Sequence, residues 1–272
     1  MIATHPAAVE TQRVESRPFA SYVMPAFNEE ARLPASLDRV IAFLAQQRFA
    51  AEIVVADDGS RDRTPRIVRA REDAGLPSNV TLRLVQHEHN EGKGAAIRTG
   101  CLAARGEYVF FMDADLATPP EDSLRLLACL EEGHPVVAGS RIQPDGSDMR
   151  ESQPTQRRTA GRIFTTMRKA IGVLRDIEDT QCPMKGFRHD AARAVFERQR
   201  LEGWIFDAEV LHIARKLGYP IVSVPVTWQH VEGSRLRMRP KQAWEVLRDL
   251  VKLRFLYGNV AAPPAVPTPT DS

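Results

Sequence analysis

The chain has 272 residues, of which 43% are hydrophobic and 26% are charged, as in an ordinary globular protein. Its formal net charge of +2 gives no overall electrostatic support for nucleic-acid binding, and its three cysteines form no CxxC pair typical of a structural zinc site. No apolar run approaches the ~20 residues of a membrane-spanning helix, and the N-terminus has no apolar signal segment, so we expect a soluble protein of the reducing cytoplasm.

Short apolar strands alternate with segments of helical periodicity along most of the chain. Residues 1–17 are polar and patternless, and residues 259–272 form a Pro-rich tail, so we expect disorder at both ends. The strand candidates are 20–24, 52–56, 81–86, 107–112, 135–139 and 221–226. Helical stretches near 30–47, 64–74, 93–105 and 119–132 separate the first five strands. This alternation predicts an α/β fold with a mostly parallel sheet flanked by helices.

Polar segments follow five consecutive strands of this predicted sheet. They read PAFNEE, DDGSRD, HNEGKG, DADLA and GSR, in chain order. In open α/β sheets, ligands bind outside the carboxyl ends of the parallel strands. We therefore expect the functional site to be built from these segments.

The segment DADLATPPED contains two aspartates that the following helix does not need. Thr118 and Glu121, with Pro119 between them, have the spacing of a capping box with proline at the first helical position. Asp113 and Asp115 therefore remain as adjacent carboxylates at the end of a buried strand. Such a pair is repulsive unless a cation or polar ligand lies between its members.

A second surplus pair lies in DDGSRDRTP, where Thr64 and Pro65 already start a helix and leave Asp57 and Asp58. A hard divalent cation such as Mg²⁺ or Mn²⁺ suits carboxylate oxygens and keeps positions open for phosphate. One DxD motif is a weak signal, but a DxD after the fourth strand together with DDGS after the second strand is a strong one.

The segment HNEGKG is not a P-loop, because His87 stands where the first P-loop glycine would be. Gly92 and Gly94 instead predict a close backbone approach to a ligand or to a neighbouring strand. We assign Lys93, at the predicted helix start, to the donor site as a cation; a solvated lysine is the alternative.

These motifs, in this order, resemble those of family 2 glycosyltransferases, which have the GT-A nucleotide-sugar fold. The later segments DTQCPMKGF (179–187), GRIF (161–164) and 203–235 resemble dolichyl- and polyprenyl-phosphate β-glucosyltransferases. The resemblance covers residues 19–257.

The resemblance implies one Rossmann-like GT-A domain over residues 18–258. Its nucleotide-binding half would be 18–118, and its acceptor half 119–258 would end in an amphipathic helix. The implied activity is transfer of a hexose, with glucose favoured, from a UDP-sugar to a polyprenyl phosphate, with inversion and with Mg²⁺ or Mn²⁺ as cofactor. The alternatives are a soluble phosphate or hydroxyl acceptor with the same donor, or a non-catalytic nucleotide-sugar scaffold.

Site residues follow from the matched positions. Asp113 and Asp115 would hold the metal, with Asp115 the more direct ligand. The implied donor contacts, with Lys93 added, are Pro25, Glu29, Asp57, Asp58, Asp113, His230, Ser234 and Arg235. The acceptor set is Arg141, Arg157, Arg158, Gln181, Lys185 and Asp207. A phosphate acceptor is ionised near neutral pH and needs no general base, whereas a hydroxyl acceptor would need one, and Asp179 is the candidate.

The sequence departs from the family pattern at two places. QCPMK replaces the usual QCGFK, so Pro183 and Met184 would reshape the sugar or acceptor pocket. Ala117 stands where mannosyl-transferring relatives often have a glutamine that ligates the metal, which favours the glucosyl branch.

Two basic amphipathic segments predict contact with a membrane surface, for which the expected location is the inner face of the plasma membrane. Residues 160–174 place five apolar side chains on one helical face beside Arg162, Arg168 and Lys169. Residues 241–259 carry Trp244, Leu247, Leu250, Val251, Leu253 and Phe255 among basic residues. The alternative for both is packing on the sheet, which is favoured for the first segment.

Overall fold

The computed structural model describes residues 17–229 and 240–257, without the side chains of residues 157 and 240–243. The strands are β1 (Ala20–Ala26), β2 (Ala51–Asp57), β3 (Val80–Gln86), β4 (Tyr108–Phe111), β5 (Val136–Ser140), β6 (Lys185–Arg188) and β7 (Ile221–Pro225). They form one sheet in the order β3-β2-β1-β4-β6-β5-β7. β6 runs antiparallel to β4 and β5, and the other neighbours are parallel.

Helices connect and cover these strands. They are α1 (Leu33–Ala45), α2 (Thr64–Asp73), α3 (Lys93–Ala103), α4 (Ser123–Glu131), α5 (Thr155–Ala170), α6 (His189–Phe196), α7 (Phe206–Lys216) and α8 (Pro240–Leu256). Short 3₁₀ helices span Pro120–Asp122 and Met149–Ser152. Within 17–229 and 240–257, no helix combines the length and apolar character needed to cross a bilayer.

The two faces of the sheet pack into two separate apolar layers. Along β1, Val23 belongs to the layer under α3, α6 and α7, whereas Tyr22 and Met24 belong to the layer under α1 and α4. All three side chains are fully buried. A strand that is buried on both faces has a continuous apolar run, which is why the central strands could be predicted from the sequence.

All six predicted strands form, and each of their ends lies within two residues of the predicted one. β6 was not predicted, because its four residues include a lysine and a glycine. Gly186 is required there, since a Cβ at this position would lie 2.7 Å from Cε1 of Phe110. Helices α6 and α7 were not among the predicted helices either.

The predicted capping box before α4 is wrong. Thr118 is buried, and its Oγ1 has no hydrogen-bond partner among the residues that the structure describes. The chain enters α4 through the 3₁₀ turn, in which Ser123 Oγ donates to the Pro120 carbonyl at 2.6 Å. Glu121 reaches away and pairs with Arg39 at 2.5 Å. The proline-rich start remains, but no side chain caps the 3₁₀ turn or α4 among the described residues.

Helix α5 largely packs on the core. Phe164 contacts the buried layer and Leu174, just beyond the helix, is buried, while Ile163 is 54% exposed. Arg168 is fully buried and donates to the carbonyls of Val173 and Ile177, at 2.8 and 2.6 Å. The prediction that Arg168 flanks a membrane-facing surface is therefore wrong, because its buried guanidinium satisfies backbone carbonyls of the segment that follows the helix.

Helix α8 has apolar side chains on two faces. Leu250 and Leu253 are buried in the core. Trp244, Val251 and Phe255 are 66%, 42% and 77% exposed on the outside. We call these three residues the outer stripe of α8.

Candidate active site

A cleft of about 470 Å³ opens where β1, β2 and β4 end, at the carboxyl edge expected for a ligand site. The β1–α1 loop, the segments after β2, β3 and β4, and the loop before α7 form its walls. The lining residues are Pro25, Ala26, Phe27, Glu29, Arg32, Asp58, Asn90, Gly92, Lys93, Asp113, Ala114, Asp115, Gly203 and Trp204. Five of the predicted donor residues, including Asp113, therefore line one cleft.

Asp113 and Asp115 stand on a tight turn at the end of β4. The Leu116 amide donates to the Asp113 carbonyl at 3.1 Å, and Leu116 adopts a left-handed φ of 50°. The turn lets Asp115 Oδ1 accept from the Ala117 amide at 3.1 Å. Burial raises the pKa of Asp115, and the neighbouring Asp113 charge adds to this shift. The two carboxylates thus share one wall of the cleft and repel each other.

Lys93, the first residue of α3, supplies a positive charge to this wall. Its Nζ lies 2.6 Å from Asp113 Oδ1 and 5.7 Å from the ring centroids of both Trp204 and Phe206. Burial alone would lower the pKa of Lys93, but the charges of Asp113 and Asp207 raise it above its ordinary value. The side chain is therefore an ammonium held against Asp113.

Arg32 is a site residue that the sequence analysis missed. Its Nε and Nη2 donate to the two carboxylate oxygens of Glu29, both at 2.8 Å. This bidentate bond raises the pKa of Arg32, as do the charges of Asp115 and Asp113. Its Nη1 is buried, with no hydrogen-bond partner in the described part of the chain. The signal was the Glu-x-x-Arg spacing, and Glu29 orients a cation toward the aspartate pair.

Asp58 organises the loop between β3 and α3. Its Oδ1 accepts from the Glu91 amide at 2.9 Å and contacts His87 Nδ1 at 3.0 Å. Its Oδ2 accepts from Asn90 Nδ2 at 2.6 Å and from the Gly92 amide at 2.9 Å. Both oxygens are thus already used within the protein.

In contrast to Asp58, only one carboxylate oxygen of Asp57 is hydrogen-bonded within the described residues. Its Oδ2 accepts from the Ser60 amide at 3.1 Å, but Oδ1 is buried without a hydrogen-bond partner among the described residues. Burial raises the pKa of Asp57. A buried acceptor without a partner is costly, which suits a ligand that brings an N–H donor.

Gly92 and Gly94 allow the loop at residues 201–202 to approach the backbone closely. Gly92 has a φ of 114°, and a Cβ there would lie 2.5 Å from the Glu202 carbonyl oxygen. The Gly94 amide donates to that same oxygen at 2.7 Å, and a Cβ on Gly94 would lie 2.6 Å from the Leu201 carbonyl oxygen. The close approach that we predicted is made to the 201–202 loop.

Glu209 holds this loop from below. Its carboxylate accepts from the amides of Arg200 and Leu201, at 2.9 and 3.0 Å. It also accepts from Tyr257 Oη, at 2.5 Å. Tyr257 follows α8, so the carboxylate joins the C-terminal end of that helix to the cleft wall.

Arg141 and Asp179 form a buried, fully matched pair. Arg141 donates to Asp179 from Nε at 2.8 Å, from Nη2 at 2.7 Å and from its backbone amide at 2.9 Å. Burial alone would raise the pKa of Asp179, but Arg141, with Arg150 3.9 Å away, holds it well below its usual range. These contacts argue against Asp179 as a general base, because a carboxylate that is so stabilised in its ionised form accepts a proton poorly.

Lys185 and Asp207 form a second buried pair. Lys185 Nζ lies 2.5 Å from Asp207 Oδ1 and donates to the Cys182 carbonyl at 2.8 Å. Lys185 is fully buried, so the pair supports the site from beneath. Met184 is also fully buried in a core layer, so the QCPMK departure changes packing behind the site.

The remaining predicted residues have less defined surroundings. Gln181 is partly buried, and its backbone N–H donates to Asp179 Oδ1 at 3.3 Å. Arg158 is partly buried near the start of α5. The side chain of Arg157, and the whole of His230, Ser234 and Arg235, lie outside the described residues.

Asp113 and Asp115 are the carboxylates that would hold a divalent cation. Among the residues that the structure describes, no group of three or more His, Cys, Asp or Glu side chains is arranged to hold a metal. Asp113 and Asp115 nevertheless offer oxygen ligands at an open cleft, which fits Mg²⁺ or Mn²⁺ if a ligand and water supply the other positions.

Comparison with known proteins identifies the family. The sequence profile described as "Glycosyl transferase family 2" matches residues 21–196. The chain is 34% identical over 261 residues to the dolichyl-phosphate beta-glucosyltransferase of Dictyostelium discoideum, covering 93% of this chain and 79% of that one. It is 32% identical over 252 residues to the protein of the same name from Homo sapiens, covering 88% and 76%.

Solved structures agree on the fold. Glucosyl-3-phosphoglycerate synthase from Mycobacterium tuberculosis in complex with UDP superposes with a TM-score of 0.62 at 20% identity, covering 87% of this chain and 80% of that one. A complex of the same protein with Mn²⁺, UDP and glucosyl-3-phosphoglycerate gives 0.60 at 19% identity, covering 91% and 82%. At this level of identity the likeness concerns the fold, which is the predicted GT-A arrangement.

Proposed function

Because the chain belongs to glycosyltransferase family 2, we propose that it transfers glucose from UDP-glucose to a polyprenyl phosphate of the dolichyl type, with inversion. The observation that carries the reaction class is the Asp113–Asp115 pair facing Lys93 and Arg32 in a cleft at the ends of the parallel strands. The names of the relatives support the lipid phosphate acceptor. In this proposal residues 18–118 bind the donor, and residues 119–258 contribute the acceptor side.

The donor diphosphate would lie at the aspartate wall. Asp113 and Asp115 would hold a Mg²⁺ or Mn²⁺ ion, which supplies charge stabilisation for the departing diphosphate. Lys93 and Arg32 supply further positive charge, and Glu29 acts by orienting Arg32.

The nucleoside would lie toward β1 and β2. Asp57 Oδ1, which has no hydrogen-bond partner among the described residues, suits the N–H group of uracil, and its register neighbour Ala26 lines the cleft together with Pro25. Asp58 acts through the loop that it fixes. His230, Ser234 and Arg235 lie outside the described residues, and for them the proposal rests on the family resemblance alone, which implies a loop over the diphosphate.

The acceptor phosphate would be bound by arginines. Arg141, oriented by Asp179, is the proposed contact, together with Arg157, Arg158 and Gln181. A phosphate monoester has a second pKa of about 6, so its oxygen attacks the anomeric carbon without a general base. Lys185 and Asp207 hold the floor of this region in place.

The lipid implies a membrane surface, and α8 offers one. Its outer stripe exposes Trp244, Val251 and Phe255, and Arg248 and Lys252 are exposed beside it. An apolar stripe with basic neighbours is typical of helices that lie in the interface of an anionic bilayer. We propose peripheral membrane binding through α8.

The first experiment measures transfer. The protein is incubated with labelled UDP-glucose, Mn²⁺ and a short polyprenyl phosphate, and the label is partitioned between organic and aqueous phases. For the wild type we expect label in the organic phase. In Asp115→Asn the rate of transfer should fall on the order of 10²-fold or more, because charge stabilisation of the departing diphosphate is lost. Asp38→Asn, an exposed aspartate on α1, is the matched control.

Three outcomes separate the alternatives. Label transferred only to a water-soluble compound, such as the phosphoglyceric acid bound by the Mycobacterium enzyme, would replace the lipid acceptor by a soluble one. Transfer to a hydroxyl compound would require a base other than Asp179. Absence of transfer to every acceptor, with UDP binding retained, would favour the non-catalytic scaffold.

A further inference from the structure

We infer that the Lys93 ammonium is an exchangeable counter-ion of the aspartate pair: it neutralises Asp113 and must leave this carboxylate when a divalent cation binds. The inference rests on the proposed donor site and adds to it an internal competitor for the metal. It predicts that metal and nucleotide bind together more readily than the metal binds alone.

The position of Lys93 explains why it needs a carboxylate. It is the first residue of α3, where the helix dipole disfavours positive charge. Its Nζ is 2.6 Å from Asp113 Oδ1, the same carboxylate that would ligate the metal. A divalent cation bound to Asp113 would face the ammonium at close range, so one of the two cations has to move.

The surroundings of Lys93 offer it other partners. The carboxylate of Asp207 is near enough for its charge to act on Lys93, although it is paired with Lys185 at 2.5 Å. The aromatic faces of Trp204 and Phe206 lie 5.7 Å from Nζ at their centroids. A bound diphosphate would add the strongest partner, because its oxygens carry full negative charge and lie beside the metal.

The formal charges of the site favour joint binding. The carboxylates of the site are Glu29, Asp58, Asp113, Asp115 and Asp207, and its three cations are Arg32, Lys93 and Lys185, which leaves two net negative charges. A diphosphate alone would add to this negative charge, whereas a divalent cation together with a diphosphate would leave the balance nearly unchanged. Binding of the two ligands should therefore be positively coupled.

The test is a Mn²⁺ titration followed by the electron paramagnetic resonance signal of free Mn²⁺, with and without UDP. In the wild type we expect weak Mn²⁺ binding that UDP strengthens. In Lys93→Gln we expect Mn²⁺ alone to bind about fivefold or more tightly than in the wild type, with a smaller gain from UDP. Lys216→Gln, on α7 and away from the aspartate wall, is the matched charge control.

Lys93→Arg keeps the charge and provides the second variant. It should retain weak Mn²⁺ binding without UDP. The inference is overturned if Lys93→Gln binds Mn²⁺ alone no more tightly than the wild type, or if Lys93→Arg tightens it equally. It is also overturned if UDP does not strengthen Mn²⁺ binding to the wild type. No acceptor takes part in this titration, so its result is independent of whether the proposed transfer to a lipid phosphate succeeds.

Discussion

Asp179 and Arg141 show how a residue that is conspicuous in the sequence can act through another. The two side chains are 1% and 10% exposed and share two side-chain hydrogen bonds. Removing one partner of such a buried pair leaves an uncompensated charge, which typically costs about 3–5 kcal/mol. We therefore expect Asp179→Asn to lower the free energy of unfolding by about this amount at pH 7 and to weaken acceptor use. Urea unfolding and acceptor titrations measure the two effects.

The lowered pKa of Asp179 determines how the stability difference between the wild type and Asp179→Asn changes with pH. Because the pKa of Asp179 is lower in the folded than in the unfolded protein, its contribution is complete above the unfolded value of about 3.9. The contribution is lost as the pH falls through that value toward the folded pKa, so the wild type and Asp179→Asn should converge in stability below about pH 4. Asp176→Asn, which breaks an exposed pair with Arg215, should cost under about 1 kcal/mol. Unchanged stability with lost turnover would instead support a general base.

Individual residues of the site differ in how far the sequence could reveal them. The position of Asp113 and Asp115 at the cleft could be predicted from their place after a buried strand, although the capping box that had set them apart does not form. The structural duty of Asp58 could not, since it depends on bonds to residues 29 to 34 positions away. Arg32 resembled an ordinary surface arginine until its carboxylate partner and its buried Nη1 were seen.

At the scale of elements, the start of α3 is pressed against the 201–202 loop. We expect Gly94→Ala to lower the free energy of unfolding by about 1–3 kcal/mol, because the added Cβ would meet the Leu201 carbonyl oxygen at 2.6 Å and Phe206 Cβ at 2.8 Å. Gly161→Ala, within α5, is the matched control, because its Cβ would meet no atom within 4 Å. That control should stabilise by up to about 1 kcal/mol. Chemical denaturation of both variants checks the prediction, and equal effects would contradict it.

The elements that the sequence predicted are those with a single clear period. The parallel strands have continuous apolar runs, and α1 to α4 follow them in alternation. β6 was not predicted because it is short and contains a lysine. Lys185 can be buried there because it pairs with Asp207 on α7, which follows later in the chain. Such pairing is a tertiary property that composition and periodicity do not carry.

At the scale of the whole molecule, the proposed membrane contact is the outer stripe of α8, which is exposed among the described residues. We expect Trp244→Ser combined with Phe255→Ser to weaken binding to anionic vesicles by about tenfold or more, because each aromatic ring loses apolar burial in the interface. Co-sedimentation with phosphatidylglycerol-containing vesicles measures the loss.

Leu124→Ser, which removes an exposed leucine on α4, is the control for this measurement. It should leave vesicle binding unchanged. Equal binding by the double variant and the wild type would show that α8 is not the membrane contact.

The bond between Tyr257 and Glu209 has a geometric consequence for a lipid substrate. Glu209 fixes the 200–201 backbone, the adjoining Glu202 carbonyl accepts from Gly94, and Lys93 stands beside Gly94 at the aspartate wall. If α8 rests on a bilayer, this chain of hydrogen bonds sets the distance between the aspartate wall and the lipid headgroups. A lipid phosphate would then be selected by how far its headgroup stands out from the surface as well as by its charge.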